Sequence, residues 1–176
     1  MRTVQREAEL GQAGIDTIRH VPDPTTYTVR AEPLTLDGFA PFGQVIREGD
    51  MVMELREGEQ FHLNVLHYEH KPLRCDHLNA HHKATQALIA LGGKPTVVVV
   101  APGSLDFSSV DHLEHVRAFV CDGTAGVNLA LGTWHWGPYP ITDHVDLVNV
   151  QGAGFADDNE VAHLERDLGV VVEVVL

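Results

Sequence analysis

From residue 43 onwards apolar and polar positions alternate over short runs, and the three-to-four-residue spacing of a long amphipathic helix never becomes established. Strand character marks residues 43–46, 60–68, 73–80, 86–91, 96–101, 115–121, 126–131 and 146–151. Turn signals separate them, among them Gly92-Gly93-Lys94-Pro95, Pro102-Gly103-Ser104, Asp122-Gly123 and Gly137-Pro138. Many short strands without helices between them predict an all-β sandwich or barrel rather than a parallel α/β sheet. Ahead of the first run, Thr35 is placed to cap a one-turn helix that Pro41 and Gly43 stop. Near the other end, residues 159–166 read as a short helix and 170–176 as a last strand.

The first thirty residues have a different texture. Residues 4–18 are polar with scattered apolar positions, and Pro22-Asp23-Pro24-Thr25-Thr26 breaks any helix there. Residues 1–30 are therefore expected to form an N-terminal arm, with residues 31–176 as the barrel domain and its C-terminal helix and strand.

A chain of 176 residues is long enough to bury a core without disulfides or a structural metal. Its net charge of −13, from 12 Lys+Arg and 25 Asp+Glu, disfavours nucleic-acid binding, which rests on clustered cations. The longest apolar run, residues 96–102, is too short to cross a bilayer. With Cys75 and Cys121 alone, one disulfide is the maximum and a four-sulfur zinc site is excluded. These features together predict a cytoplasmic protein.

Histidine is the unusual component: 12 in the chain, with His67, His70, His77, His81 and His82 close together. On an extended strand His77, Asn79 and His81 share one face. Imidazoles and an amide on adjacent strands form a reasonable ligand set for a divalent transition metal such as Zn, Ni, Fe or Mn. His77, His81, Gln86 and His135 are the candidate metal ligands. His67, His70, His112, His115, His144 and His163 carry no spacing argument and read as solvated or structural. Trp134 and Trp136 flank His135, and one of them is expected to line the interior. Cys75 and Cys121, with no neighbouring base motif, read as small buried apolar residues.

Two segments resemble the cupin motifs. Asn79-Ala80-His81, then Gln86, then Gly93 resembles the first, and Ala130-Leu131-Gly132-Thr133-Trp134-His135 resembles the second, with Ala130 where a proline is usual. A closer resemblance runs from Leu34 onwards, through residues 34–46, 81–89, 97–103 and 126–135, and it is to the ureidoglycolate lyase family, which is cupin-like. It implies a cupin-like double-stranded β-helix barrel with short peripheral helices, and cleavage of ureidoglycolate to glyoxylate and urea or a related C–N cleavage. It also implies proton transfer by His81 and His135, with Asn79, Asn128 and Trp134 as substrate contacts. Lys94 and Arg117 are the cations nearest the motifs in sequence, and Lys94 is taken as the further substrate contact, for a carboxylate. The pattern departs from the family at charged positions. Asn79-Ala80-His81-His82 stands where Glu-Arg-His-Pro is expected, and Asn128-Leu129-Ala130-Leu131-Gly132 where Asn-Tyr-His-Arg-Gly is expected. Two alternatives stay open at this level: a metal-dependent cupin enzyme of another reaction on a small polar acid, and a non-catalytic small-molecule binder. A homodimer is expected, because open sheet edges and apolar faces commonly pair.

Overall fold

The structure is a computed structural model and describes residues 23–176. In chain order the elements are β1 (Thr25–Pro33), helix α1 (Leu36–Phe39), β2 (Gly43–Ile46), β3 (Phe61–Glu69), β4 (Arg74–Cys75), β5 (Leu78–Ala80) and β6 (Gln86–Ala90). After a 3-10 turn come β7 (Thr96–Ala101), a second 3-10 turn (Val110–His115), β8 (Arg117–Cys121), β9 (Gly126–Leu129), β10 (Trp134–Pro140), β11 (His144–Gly152), β12 (Glu160–Ala162) and β13 (Val170–Val175). Among the described residues these strands form two sheets, ordered β12-β5-β10-β7-β8-β1-β13-β4 and β2-β9-β6-β11-β3. The architecture is all-β, as the strand-and-turn pattern predicts, and is the cupin-like barrel that the family resemblance implies.

Strand β7 shows how the sequence produces the two layers. Its run of four valines is buried on both faces, as expected of a strand with no solvent side. Val97, Val99 and Ala101 pack in one core cluster with Cys75, Trp134, Tyr139 and Val172. Val98 and Val100 pack in the other, against Phe39, Phe42, Phe119, Leu88 and Val127. Helix α1 delivers one of those aromatics: Thr35 Oγ1 accepts the Gly38 N–H at 3.1 Å and caps the turn, and Phe39 then meets the Phe119 ring edge-on at 5.4 Å.

Gly43 follows the helix in a positive-φ conformation, and a Cβ built there would stand 2.0 Å from the Asn128 carbonyl oxygen. The β2–β9 pairing that brings Gly43 opposite Leu129 therefore requires glycine. Gly43→Ala is expected to cost about 2 kcal/mol of stability, read as a lowered denaturation midpoint. An unchanged midpoint would show that the pairing relaxes freely.

Four segments differ from their sequence-based reading. Residues 25–30, set with the arm, lie in β1, which runs parallel to β13 from Thr25↔Val170 to Arg30↔Val175 and then parallel to β8. The rest of the proposed arm, residues 1–22, lies outside the described residues. The run 73–80 splits at Asp76-His77, because the chain changes partners there: β4 pairs with β13, whereas β5 pairs with β10 and β12. Residues 134–140 form a strand despite Gly137-Pro138, since a register shift between Trp136 and Tyr139 absorbs the residues that cannot join the ladder. Residues 160–162, read as helix, pair with β5 instead, and only a single turn (Leu164–Leu168) follows, closed by Gly169 in the left-handed conformation. Tertiary pairing outweighs weak local helix preference in that segment.

Candidate functional site

One end of the space between the two sheets is filled by the Phe39–Phe42–Phe119 cluster, and elsewhere the sheets enclose a cavity of about 320 Å³. Strands β5 and β10 contribute Asn79 and His135, with His81 immediately after β5. The opposite sheet contributes Asn64, Leu66 and Tyr68 from β3, Gln86 from β6, and Asn149 and Gln151 from β11. Phe155, Ala156 and Asn159, from the segment between β11 and β12, complete the lining. A larger depression of about 690 Å³ lies elsewhere, lined by Asp23, Lys71, Arg74, Asp76, His77 and Glu165 among others. It is more open and mixes charges of both signs, whereas the smaller cavity concentrates uncharged polar groups between the sheets and is the candidate site.

His135 is held by its own strand. It pairs in register with Val100 on one side and Asn79 on the other, and so faces the space between the sheets as Val100 does. Only 6% exposed, it has Nδ1 3.0 Å from the Thr133 carbonyl oxygen, which places the ring proton on Nδ1 and leaves Nε2 as a lone-pair acceptor. Burial and the neighbouring His81 charge hold its pKa down at about 4, so the ring is neutral near pH 7. His81 has the same tether in different form: its Nδ1 lies 3.0 Å from the Asp158 carbonyl oxygen. The Asp158 carboxylate in turn accepts the backbone N–H groups of His82 and Lys83, which fixes the turn that carries His81. The two rings stand 5.4 Å apart between centroids. Rings at that spacing touch, so a substrate in the cavity would meet both imidazoles on the same wall.

Four of the sequence-predicted residues, Asn79, His81, Gln86 and His135, thus converge on one cavity. The other four lie elsewhere. His77 loses strand parity at the Asp76-His77 break, bonds Asp76 at 2.6 Å and packs on Trp136 at 3.9 Å in the outer depression. Trp134 faces away from His135, because neighbours along a strand point to opposite sides. It is buried against Phe107 and donates its indole N–H to the Leu105 carbonyl at 2.7 Å, a core role. Trp136 is the tryptophan that borders the cavity. Asn128 donates to the Val52 carbonyl at 3.1 Å and holds the segment before β3, while Lys94 bonds His144. Cys75 and Cys121 are buried free thiols, as the sequence indicates, with burial pushing both pKa values up, to about 12 and about 11.

Asn64, Tyr68, Asn149, Gln151 and Asn159 were not legible as site residues. The available signal was parity: Asn149 and Gln151 alternate with Val148 and Val150, and Asn64 alternates with Leu63 and Val65.

The family model for ureidoglycolate lyase matches residues 48–171, which contain every cavity residue named above. The chain belongs to the ureidoglycolate lyase family. Curated relatives with the name ureidoglycolate lyase include one from Pseudomonas syringae pv. tomato, 30% identical over 83% of this chain and 95% of its own length. Others come from Pseudomonas paraeruginosa, 33% identical over 72% of this chain and 85% of the relative, and Burkholderia mallei, 32% identical over 72% and 84%. Membership of the ureidoglycolate lyase family gives the chain lyase ancestry at the family level.

The donor set does not fit a tightly held divalent cation. Two imidazoles and neutral amides line the cavity, with no carboxylate, thiolate or third imidazole among the described residues to complete a ligand set or offset the charge. No helix among the described residues is long and apolar enough to cross a membrane.

Proposed function

We propose that this protein is a C–N lyase that splits a small carbinol ureide into a carbonyl compound and urea, ureidoglycolate to glyoxylate and urea being the reaction that its relatives' name indicates. The observation that carries this reading is the pair of imidazoles 5.4 Å apart, each with Nδ1 turned to a backbone carbonyl. His135, neutral, accepts the carbinol hydroxyl proton at Nε2 as the C=O bond forms. The C–N bonding pair passes to the ureido nitrogen, which takes a proton from the protonated ring of His81. One proton is taken and one is given, and the rings are reset by exchange with solvent through the less buried His81. Backbone tethers at both Nδ1 atoms keep the rings from swinging away from this geometry.

No step passes through a metal. Treating the purified protein, made without a histidine tag, with a strong chelator is expected to leave urea release from carbinol ureides unchanged. Loss of turnover on chelation, restored by one divalent metal, would overturn the acid–base reading. Absence of urea release from any carbinol ureide would overturn the lyase assignment itself.

A further inference from the structure

The polar lining of the cavity is made of carboxamides. Asn64, Asn79, Gln86, Asn149, Gln151 and Asn159 all border it, and no Lys, Arg, Asp or Glu does so among the described residues. Several of the amides are joined in one network. Gln86 Nε2 donates to Asn149 Oδ1 at 2.9 Å and to Gln151 Oε1 at 3.0 Å, and Asn149 Nδ2 donates to Asn64 Oδ1 at 2.8 Å. Both N–H groups of Gln86 are thereby used, while its Oε1 is buried with no donor among the described residues. Leaving such an acceptor unsatisfied costs about 1–3 kcal/mol, so the cavity wall favours an occupant that supplies N–H or O–H.

Charge points the same way. The segment bordering the cavity between β11 and β12 carries Asp157 and Asp158, and the whole chain stands at −13. Three cations are engaged with other groups: Lys94 at His144, Arg117 at Glu32, and Lys71 over the Trp136 and Tyr139 rings. A carboxylate brought into this pocket would lose its hydration and meet no Lys or Arg, and the one cation the reaction calls for, protonated His81, is committed to the departing nitrogen. A ureido group, by contrast, offers the alternating N–H and C=O groups that carboxamides bind.

We infer that the substrate of this site is an uncharged carbinol ureide, one whose hydroxyl-bearing carbon carries no carboxylate. The inference rests on the lyase reading above and narrows its substrate class. The matched probes are N-(hydroxymethyl)urea, which cleaves to formaldehyde and urea, and ureidoglycolate, which cleaves to glyoxylate and urea. With the full 176-residue chain, so that residues 1–22 are present, kcat/KM is expected to be at least tenfold higher for the neutral probe. A smaller difference, or a preference for ureidoglycolate, overturns the inference and leaves the lyase reading standing. Should neither be cleaved, the lyase reading fails, and binding decides the substrate class alone. N-ethylurea and N-carbamoylglycine are then titrated while the histidine ring resonances are followed by NMR. At least tenfold tighter binding of N-ethylurea supports a neutral-ligand site; equal or tighter binding of the anion, or no shift with either, overturns it.

Discussion

Replacing His135 with glutamine is expected to lower kcat/KM for carbinol ureide cleavage by about 10²- to 10⁴-fold, the range associated with a positioned general acid or base. The variant keeps a polar side chain of comparable size at a position that is 6% exposed, so the barrel is expected to remain folded. What it loses is the Nε2 lone pair, the part of the residue that the proposed reaction uses. The loss is expected mainly in kcat, because the hydroxyl proton moves in the transition state rather than on binding. Coupled detection of urea from purified wild-type and variant protein measures it. Comparable turnover in the two would remove His135 from the chemistry.

The same residue is expected to govern part of the acid sensitivity of the fold. His135 has a pKa of about 4 in the native state against 6.5 as the ordinary value. Between those values the unfolded chain binds a proton that the folded chain refuses, so stability falls as pH is lowered from 6.5 and the loss is complete below 4. The shift corresponds to about 3 kcal/mol lost between pH 7 and pH 4 from this one ring. Above pH 7 the group is neutral in both states and contributes no slope. In His135→Gln that component is absent, so the drop in stability from pH 7 to pH 4 is expected to shrink by about 3 kcal/mol. Guanidinium denaturation of both proteins at the two pH values measures the difference. Asp122, Asp143 and Asp146, whose pKa values are lowered chiefly by hydrogen bonds from Thr124, His144 and His67, are common to both proteins and cancel.

The barrel was legible because its strands are short, rich in β-branched residues and punctuated by turns, the valine run of β7 among them. Part of the cavity lining was legible for a related reason: Asn79, His81, Gln86 and His135 follow a motif whose spacing reflects adjacent strands. The rest was hidden by an inversion of the usual rule. In β11 the polar Asn149 and Gln151 face the cavity, while Val148 and Val150 lie on the opposite face. In β3 likewise, Asn64 points inward and Leu63 and Val65 are 65% and 56% exposed. A reader who places valine and leucine inside would assign these strands the wrong way round. His77 failed for the opposite reason, since parity counted across a break in the strand predicts nothing. Trp134 shows that adjacency to a site residue is evidence against sharing its face.

The cavity buries amides that need partners, and each amide on the inner face displaces a hydrophobic residue to the outer one. The sequence thus trades surface polarity for a hydrogen-bonding interior, which is the signature of a binding cavity rather than of a packed core.

The most direct test of the account is a double-mutant cycle on kcat/KM for urea release, with His81→Gln, His135→Gln and the two combined. If the imidazoles act together in a single C–N cleavage step, each single variant loses about 10²-fold or more and the double variant is little worse than the poorer single. Losses that simply multiply, or single variants that turn over like the wild type, would contradict it.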